Sequence, residues 1–283
     1  MKAYEERKIE IPGFTLALKV WHSKAITPVL CLHGKLDNAA SFDLLAPLLP
    51  HLQLAAIDYP GTGFSSHYPS GVIPYWKNDA FLLLQLLKAL EWEQFDIIAH
   101  SLGSILAAVI AIVRPTQVRK LVLLDILGPT VNFMDRSIEY LRADAETYLA
   151  QDQQTRVVYP DQEAAINERM KRGNISYQAA AVLTQRGTIK SKEGWVWTFD
   201  PRLHGVSSTI PHEDEVRAIL KAIKAPVCLI RAEQGVPYPE AIFQARAEAI
   251  KNLTIHEVPG RHHVHMDDPV PVAKIVSQFL SGS

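Results

Sequence analysis

The sequence predicts an α/β protein with a mostly parallel central sheet, helices on both faces and one inserted helical lid. Three observations carry this. Short apolar runs alternate with segments of helical period, and continuous apolar runs suit central strands covered on both sides. The run Phe95-Asp96-Ile97-Ile98 leads straight into Ala99-His100-Ser101-Leu102-Gly103 and then into the helical stretch Ile105–Val113. That is a strand–turn–helix with a serine at its apex and small residues two places either side. Finally, the alternation stops at about Gly128 and resumes after Pro211, so the lid interrupts the sheet rather than preceding it.

The elements follow in order. Lys8–Ile11 and Phe14–Trp21 alternate with period two around Pro12-Gly13, an N-terminal antiparallel pair. Pro28–Leu32 is a buried strand ending at His33-Gly34, and Ala39–Leu49 is expected to be helical. Leu52–Asp58 is the next strand, followed by the turn-rich Tyr59–Ser66. Trp76–Trp92 places its leucines at helical spacing, and Lys120–Asp125 is a strand beyond the serine turn. The lid, 128–211, reads as helices joined by polar loops, with Phe133-Met134, Tyr140-Leu141 and Tyr148-Leu149 as an apolar stripe and Trp195–Pro201 as an aromatic cluster. Most of these fill the lid's own core; one or two face substrate, because a lid needs an apolar underside. Ala225–Ala232 and Leu253–Val258 are strands, and Pro239–Ile250 and Pro269–Leu280 helices. Residues 1–127 and 212–283 thus form the core.

Composition excludes several classes. The 283 residues carry 29 Lys and Arg against 30 Asp and Glu, so there is no electrostatic footprint for nucleic acid. No run approaches the length of a membrane span, and the charged start lacks a signal-peptide core. Cys31 and Cys228 both fall in apolar strands, as buried free thiols would. A cytoplasmic protein is the default expectation.

Serine becomes a nucleophile only if a base takes its proton. The stretch Gly260-Arg261-His262-His263-Val264-His265 follows the last strand, and His262 comes first after the glycine, where a loop returns toward Ser101. A metal site on these histidines is disfavoured, because no second acidic cluster completes it. The oxyanion hole needs two backbone N–H donors. Leu102, after the nucleophile, supplies one; Lys35, after His33-Gly34, supplies the other. His33 and Asn38 read as residues that fasten this loop, and Asp58 and Ser65 as residues that fix the Gly61-Thr62-Gly63 turn. Lys35, Arg231 and Arg261 fall at strand ends near the inferred site, where such cations are usually solvated or paired with carboxylates; a pocket for an anionic substrate is the alternative reading.

The whole chain resembles α/β-hydrolase-fold serine hydrolases, through Leu32-His33-Gly34, Asp58–Ser65, Ala99–Gly103 and Gly260-Arg261-His262 with Pro269 seven residues on. More narrowly it is similar to the serine hydrolase-like proteins, through Leu36–Phe42, Gly194–Trp197 with Asp200–Leu203, and His262–Met266. The resemblance implies that the first histidine is the base. It also implies an acid after the strand that follows the lid, where this chain has Gly235. Three readings remain: Asp125 at the end of the strand before the lid, Glu233, or no acid. Asp125 is favoured, because a carboxylate one strand beyond the serine turn reaches the far nitrogen of the histidine. The expected activity is hydrolysis of a small-molecule acyl ester, with no cofactor or metal. A carbon–carbon bond hydrolase or thioesterase on the same triad is an alternative, as is a non-catalytic binding protein, which Gly235 and Ala99 would favour.

Overall fold

The computed structural model describes residues 4–25, 27–128, 137–150, 156–204 and 211–282. Phe133-Met134 of the expected stripe lie outside the described residues.

β1 (Tyr4–Ile11) and β2 (Phe14–Trp21) form the antiparallel pair, turning at Gly13 with φ +84°. β3 (Pro28–Leu32) and β4 (Gln53–Ile57) follow. Between them the expected helix over 39–49 is instead two 3₁₀ turns, Ala39–Phe42 and Ala46–Leu48. Pro47 lacks the N–H that would bond to residue 43 and so breaks an α-helix there, while the Asn38 side chain caps the first turn by accepting from the Ala40 N–H. Then come α1 (Trp76–Leu90), β5 (Phe95–His100), α2 (Leu102–Val113) and β6 (Val118–Leu124).

The inserted region holds α3 (Ser137–Leu149), β7 (Val158–Tyr159), α4 (Gln162–Gly173), α5 (Tyr177–Gly187), β8 (Thr188–Lys190) and β9 (Trp195–Trp197). It is therefore not purely helical. β7, β9 and β8 form a small antiparallel sheet, because Trp-Val-Trp suits a strand and Gly194, at φ +148°, turns the chain at the tip of the hairpin. The core resumes with α6 (Glu213–Ala222), β10 (Val227–Gln234), α7 (Glu240–Ala249), β11 (Leu253–Arg261), α8 (Val264–Asp267) and α9 (Pro269–Ser281).

The main sheet has eight strands in the order β1-β2-β4-β3-β5-β6-β10-β11, parallel from β4 to β11. Its central strands divide their side chains between two apolar layers. Leu30, Ile97, Leu123 and Leu229 face the layer shared with α1 and α2; Cys31, Ile98, Val122 and Cys228 face the layer shared with α9. A period-two strand buried on both sides therefore reads as a continuous apolar run. Both thiols are free and buried, and burial pushes Cys228 up to about 12.

The inserted region is tied to the core by buried charge. Arg186 of α5 bonds the Asp58 carboxylate at 2.8 Å and Glu6 at 2.7 Å. Arg246 of α7, fully buried, donates to the Leu127 carbonyl, shortly after β6, at 2.8 Å, and to Glu213, the first residue of α6, at 2.7 Å. Among the described residues no helix is long and apolar enough to cross a membrane.

Candidate active site

The site is built at the carboxyl ends of β3, β5, β6 and β11. Ser101 stands between β5 and α2 at φ 51°, ψ −119°. A non-glycine residue there costs on the order of 1–3 kcal/mol and persists only where its surroundings impose it. Here they do: Ala99 is locked in register with Leu32 and Leu123, and α2 is largely buried from Gly103 onward. A Cβ at Gly103 would lie 2.4 Å from the Leu32 carbonyl oxygen, so the turn requires glycine on that side. On the other side Ala99 is fully buried in the apolar layer, where a methyl group is accommodated. Leu102 opens α2, so its N–H belongs to the first turn, whose donors have no partner within the helix.

The loop after β3 faces this turn. Leu36 takes φ +62°, and the Asp37 N–H bonds to the Gly34 carbonyl at 3.2 Å. A Cβ on Gly34 would approach His100 Nδ1 to 2.9 Å, so the loop lies close against the serine turn. His33 is buried beneath it, with Nδ1 2.7 Å from the Gly34 carbonyl, and burial pushes its imidazole down from the ordinary range. Asn38 Nδ2 donates to the Leu183 carbonyl of α5 at 2.9 Å, which fastens the loop to the inserted region. Asp58 accepts from the N–H groups of Ala39 and Phe64, both at 2.8 Å, and so holds the 3₁₀ turn and the Gly61–Gly63 turn together.

Asp125 follows β6 at φ +70°. Its carboxylate accepts from the N–H groups of Ala232 at 3.0 Å and Val236 at 2.9 Å, and meets His262 Nδ1 at 2.6 Å. Burial acts to raise this carboxyl, but the bonds from His262, Val236 and Ala232 outweigh it and hold it below the usual range. An ionised carboxylate only accepts, so Nδ1 carries the proton and Nε2 is left as the basic nitrogen. Of the two carboxylates weighed from the sequence, Asp125 is the one bonded to His262; Glu233 is exposed on β10. The glycine at 235 has a direct physical reason. A Cβ there would lie 1.9 Å from Asp125 Oδ1, so the Asp125 carboxylate fills the space a side chain at 235 would need.

Behind this array lies a second buried cluster that sequence reasoning missed. His100 Nε2 donates to the His262 carbonyl at 2.9 Å, which joins the serine turn to the histidine loop. Asp37 Oδ2 lies 3.3 Å from His263 Nε2 and 3.7 Å from His100 Nδ1. Asp37, His100 and His263 have the mutual spacing of metal ligands. However, Arg169 of α4 already places its guanidinium 2.5 Å from Asp37 Oδ1, so the positive charge a metal would supply is in place. Burial acts to raise the Asp37 carboxyl, and His263 and Arg169 hold it well below its usual range instead. The signal was present in the sequence, since each member adjoins a motif residue, but the three are far apart in the chain.

Ser101, His262 and Lys35 line one cavity of about 750 Å³. Leu102 lines a second, of about 620 Å³, and Gly34, Lys35 and Leu36 border both. From the aromatic cluster Trp197 and Phe199 reach the first cavity; from the apolar stripe Leu141 and Tyr148 reach the second. Two cations expected near the site face elsewhere. Arg231 stacks on Phe243 at 4.2 Å and pairs with Glu257 at 3.5 Å, while Arg261 bonds Asn174 at 2.5 Å. Lys35, the third, does line the first cavity, where the inserted region adds Arg156, Arg169 and Arg172. Arg169 and Arg172, three apart on α4, were the available signal.

An α/β-hydrolase fold profile matches residues 27–269. The chain belongs to the α/β-hydrolase fold family. Within that family it is similar to a serine hydrolase-like protein of Mus musculus, 32% identical over 100% of this chain and 97% of the mouse protein. It is also similar to a probable serine hydrolase of Drosophila melanogaster, 34% identical over 98% of this chain and 88% of the fly protein. The crystal structure of a hypothetical protein from Pseudomonas aeruginosa superposes with TM-score 0.91 and 33% identity, covering 98% of this chain and 100% of that one. This α/β hydrolase thus has a probable serine hydrolase and a serine hydrolase-like protein as relatives along nearly its whole length. It is itself an enzyme of that superfamily, with serine-hydrolase chemistry.

Proposed function

We propose that this hydrolase cleaves a small-molecule acyl ester through Ser101, His262 and Asp125. His262 Nε2 takes the Ser101 proton as Oγ attacks the acyl carbonyl, and the N–H groups of Lys35 and Leu102 receive the oxyanion. The imidazolium, oriented by Asp125, then protonates the leaving alcohol. Water, deprotonated by the same nitrogen, releases the acid and restores Ser101. The observation that carries this reading is the 2.6 Å contact of His262 Nδ1 with Asp125, in a residue that lines the same cavity as Ser101. Gly235 no longer argues for a non-catalytic relic, since Asp125 occupies the space beside it. We further assign 1–127 and 212–283 to the core and 128–211 to the cap, on the support of Arg246, which touches both Leu127 and Glu213. The two unpaired buried thiols support a reducing, cytoplasmic setting.

A serine-directed fluorophosphonate tests the reading. It should label the intact protein at neutral pH, and Ser101→Ala and His262→Ala should each abolish labelling. An intact protein that does not label overturns the proposal.

A further inference from the structure

Resting on the acyl-hydrolase reading above, we propose that the two cavities divide the substrate: the second takes an apolar acyl chain, and the first takes a leaving group bearing an anionic oxyacid group. Stereochemistry fixes which is which. The leaving group must face the acid that protonates it, and His262 lines the first cavity. The carbonyl oxygen must face the two N–H donors, Lys35 on the loop that borders both cavities and Leu102 at the start of α2, which lines the second. The acyl substituent then takes the remaining direction, past Leu102 into the second cavity.

The two linings differ as this division requires. The second includes Ile73, Leu141 and Tyr148, which are 54%, 56% and 38% exposed. Large apolar side chains gathered around one opening are a surface that an apolar ligand covers. Two charged members of that cavity are already engaged: Asp79 accepts from the Tyr68 hydroxyl, and Arg202 is held by Asp200 at 2.6 Å. Among the described residues lining the first cavity, Arg156, Arg169 and Arg172 stand with two carboxylates, Asp37 and Glu168, while Lys35, which borders both cavities, has Asp144 of the second as a neighbouring charge. Arg169 is paired with Asp37 and Arg172 with Glu168, both at 2.5 Å. Arg156 is bonded to the Trp197 carbonyl at 3.2 Å, a neutral acceptor that leaves its charge uncancelled. The excess of positive charge registers on His204 in the same wall, whose imidazole is pushed down by burial and further by Lys35 and Arg172. A guanidinium fork matches carboxylate and phosphate oxygens alike.

The test uses hexanoate esters of matched phenols: 4-carboxyphenyl, 4-phosphonophenyl and the neutral 4-(methoxycarbonyl)phenyl. The proposal expects kcat/KM for at least one anionic ester to exceed the neutral ester by about tenfold, with the ratio reduced severalfold by Arg156→Gln, by Arg172→Gln and by high salt. Whichever anionic ester is preferred identifies carboxylate or phosphate as the group recognised. The hexanoyl esters should also outpace the acetyl esters. Equal or reversed rates for anionic and neutral esters overturn the proposal and leave the hydrolase reading standing. If no ester is cleaved, calorimetry with the same uncleaved esters decides. Tighter binding of an anionic ester supports the divided site while the acyl-hydrolase reading falls, and no preference overturns the proposal.

Discussion

A histidine without its carboxylate is free to take the wrong tautomer, and in the proposed triad the Asp125 contact is what would prevent this in His262. Asp125→Asn is therefore expected to lower kcat by about 10⁴-fold, as loss of the orienting carboxylate does in well-studied triads, while Glu233→Gln leaves turnover nearly unchanged. Steady-state kinetics on the two variants check this, and the reverse ranking would displace Asp125. Gly235 supplies a sharper version. Gly235→Asp alone pushes a side chain into the Asp125 carboxylate and should cost both stability and activity. Asp125→Gly suits the backbone, because residue 125 already has φ +70°. Combining the two should recover at least about tenfold in kcat over Asp125→Gly alone, since one carboxylate again fills one space. Titration is a second residue-scale matter. Burial holds His33, His100 and His265 below their ordinary range, His100 at about 4. Each takes up a proton on unfolding once the pH is below about 6.5, so the unfolded state binds more protons and stability falls as pH drops from there toward 4. The urea midpoint at pH 5 should lie below that at pH 7.5, and a midpoint independent of pH would contradict this.

Among the elements, those carrying local signals were legible in sequence. The β5–Ser101–α2 turn, the continuous apolar strands and the histidine loop after β11 each declare themselves within a dozen residues. Less legible were features that depend on distant partners. The 3₁₀ turns at 39–48 follow from a proline whose effect is local, yet the helical pattern masked it. The β7–β9–β8 sheet needs three short segments to meet, and none is long enough to stand out alone. The cavity's arginines lie on α4 and just before β7, with no spacing that ties them to Ser101. Arg186 is another long-range case. Its guanidinium is 5% exposed and serves Asp58, itself fully buried, along with Glu6. Removing one member of a buried pair strands the other, so Arg186→Leu should destabilise the protein by about 3–5 kcal/mol. Urea unfolding measures this, and a loss below about 1 kcal/mol would mean that the Asp58 charge finds another partner.

For the whole molecule, the division of labour is between a sheet that carries the serine, acid and histidine and an inserted region that walls both cavities. Trp197, Phe199 and Arg156 reach the first from the insertion, and Leu141 and Tyr148 the second. On the proposed reading, substrate choice is thus written mainly in residues whose positions the sheet does not dictate. The neck at Arg246 gives this a further meaning. One guanidinium grips the chain at Leu127 and again at Glu213, so the two ends of the insertion are already held near each other before the insertion itself is considered. Closing a longer loop on ends already joined adds little; each doubling of length costs only about 0.6 kcal/mol of chain entropy. The segment between those two points is therefore transplantable. A chimaera carrying a relative's insertion, with Arg246, Leu127 and Glu213 kept and partners provided for Asp37 and Asp58, should still label at Ser101 while its acyl preference follows the donor.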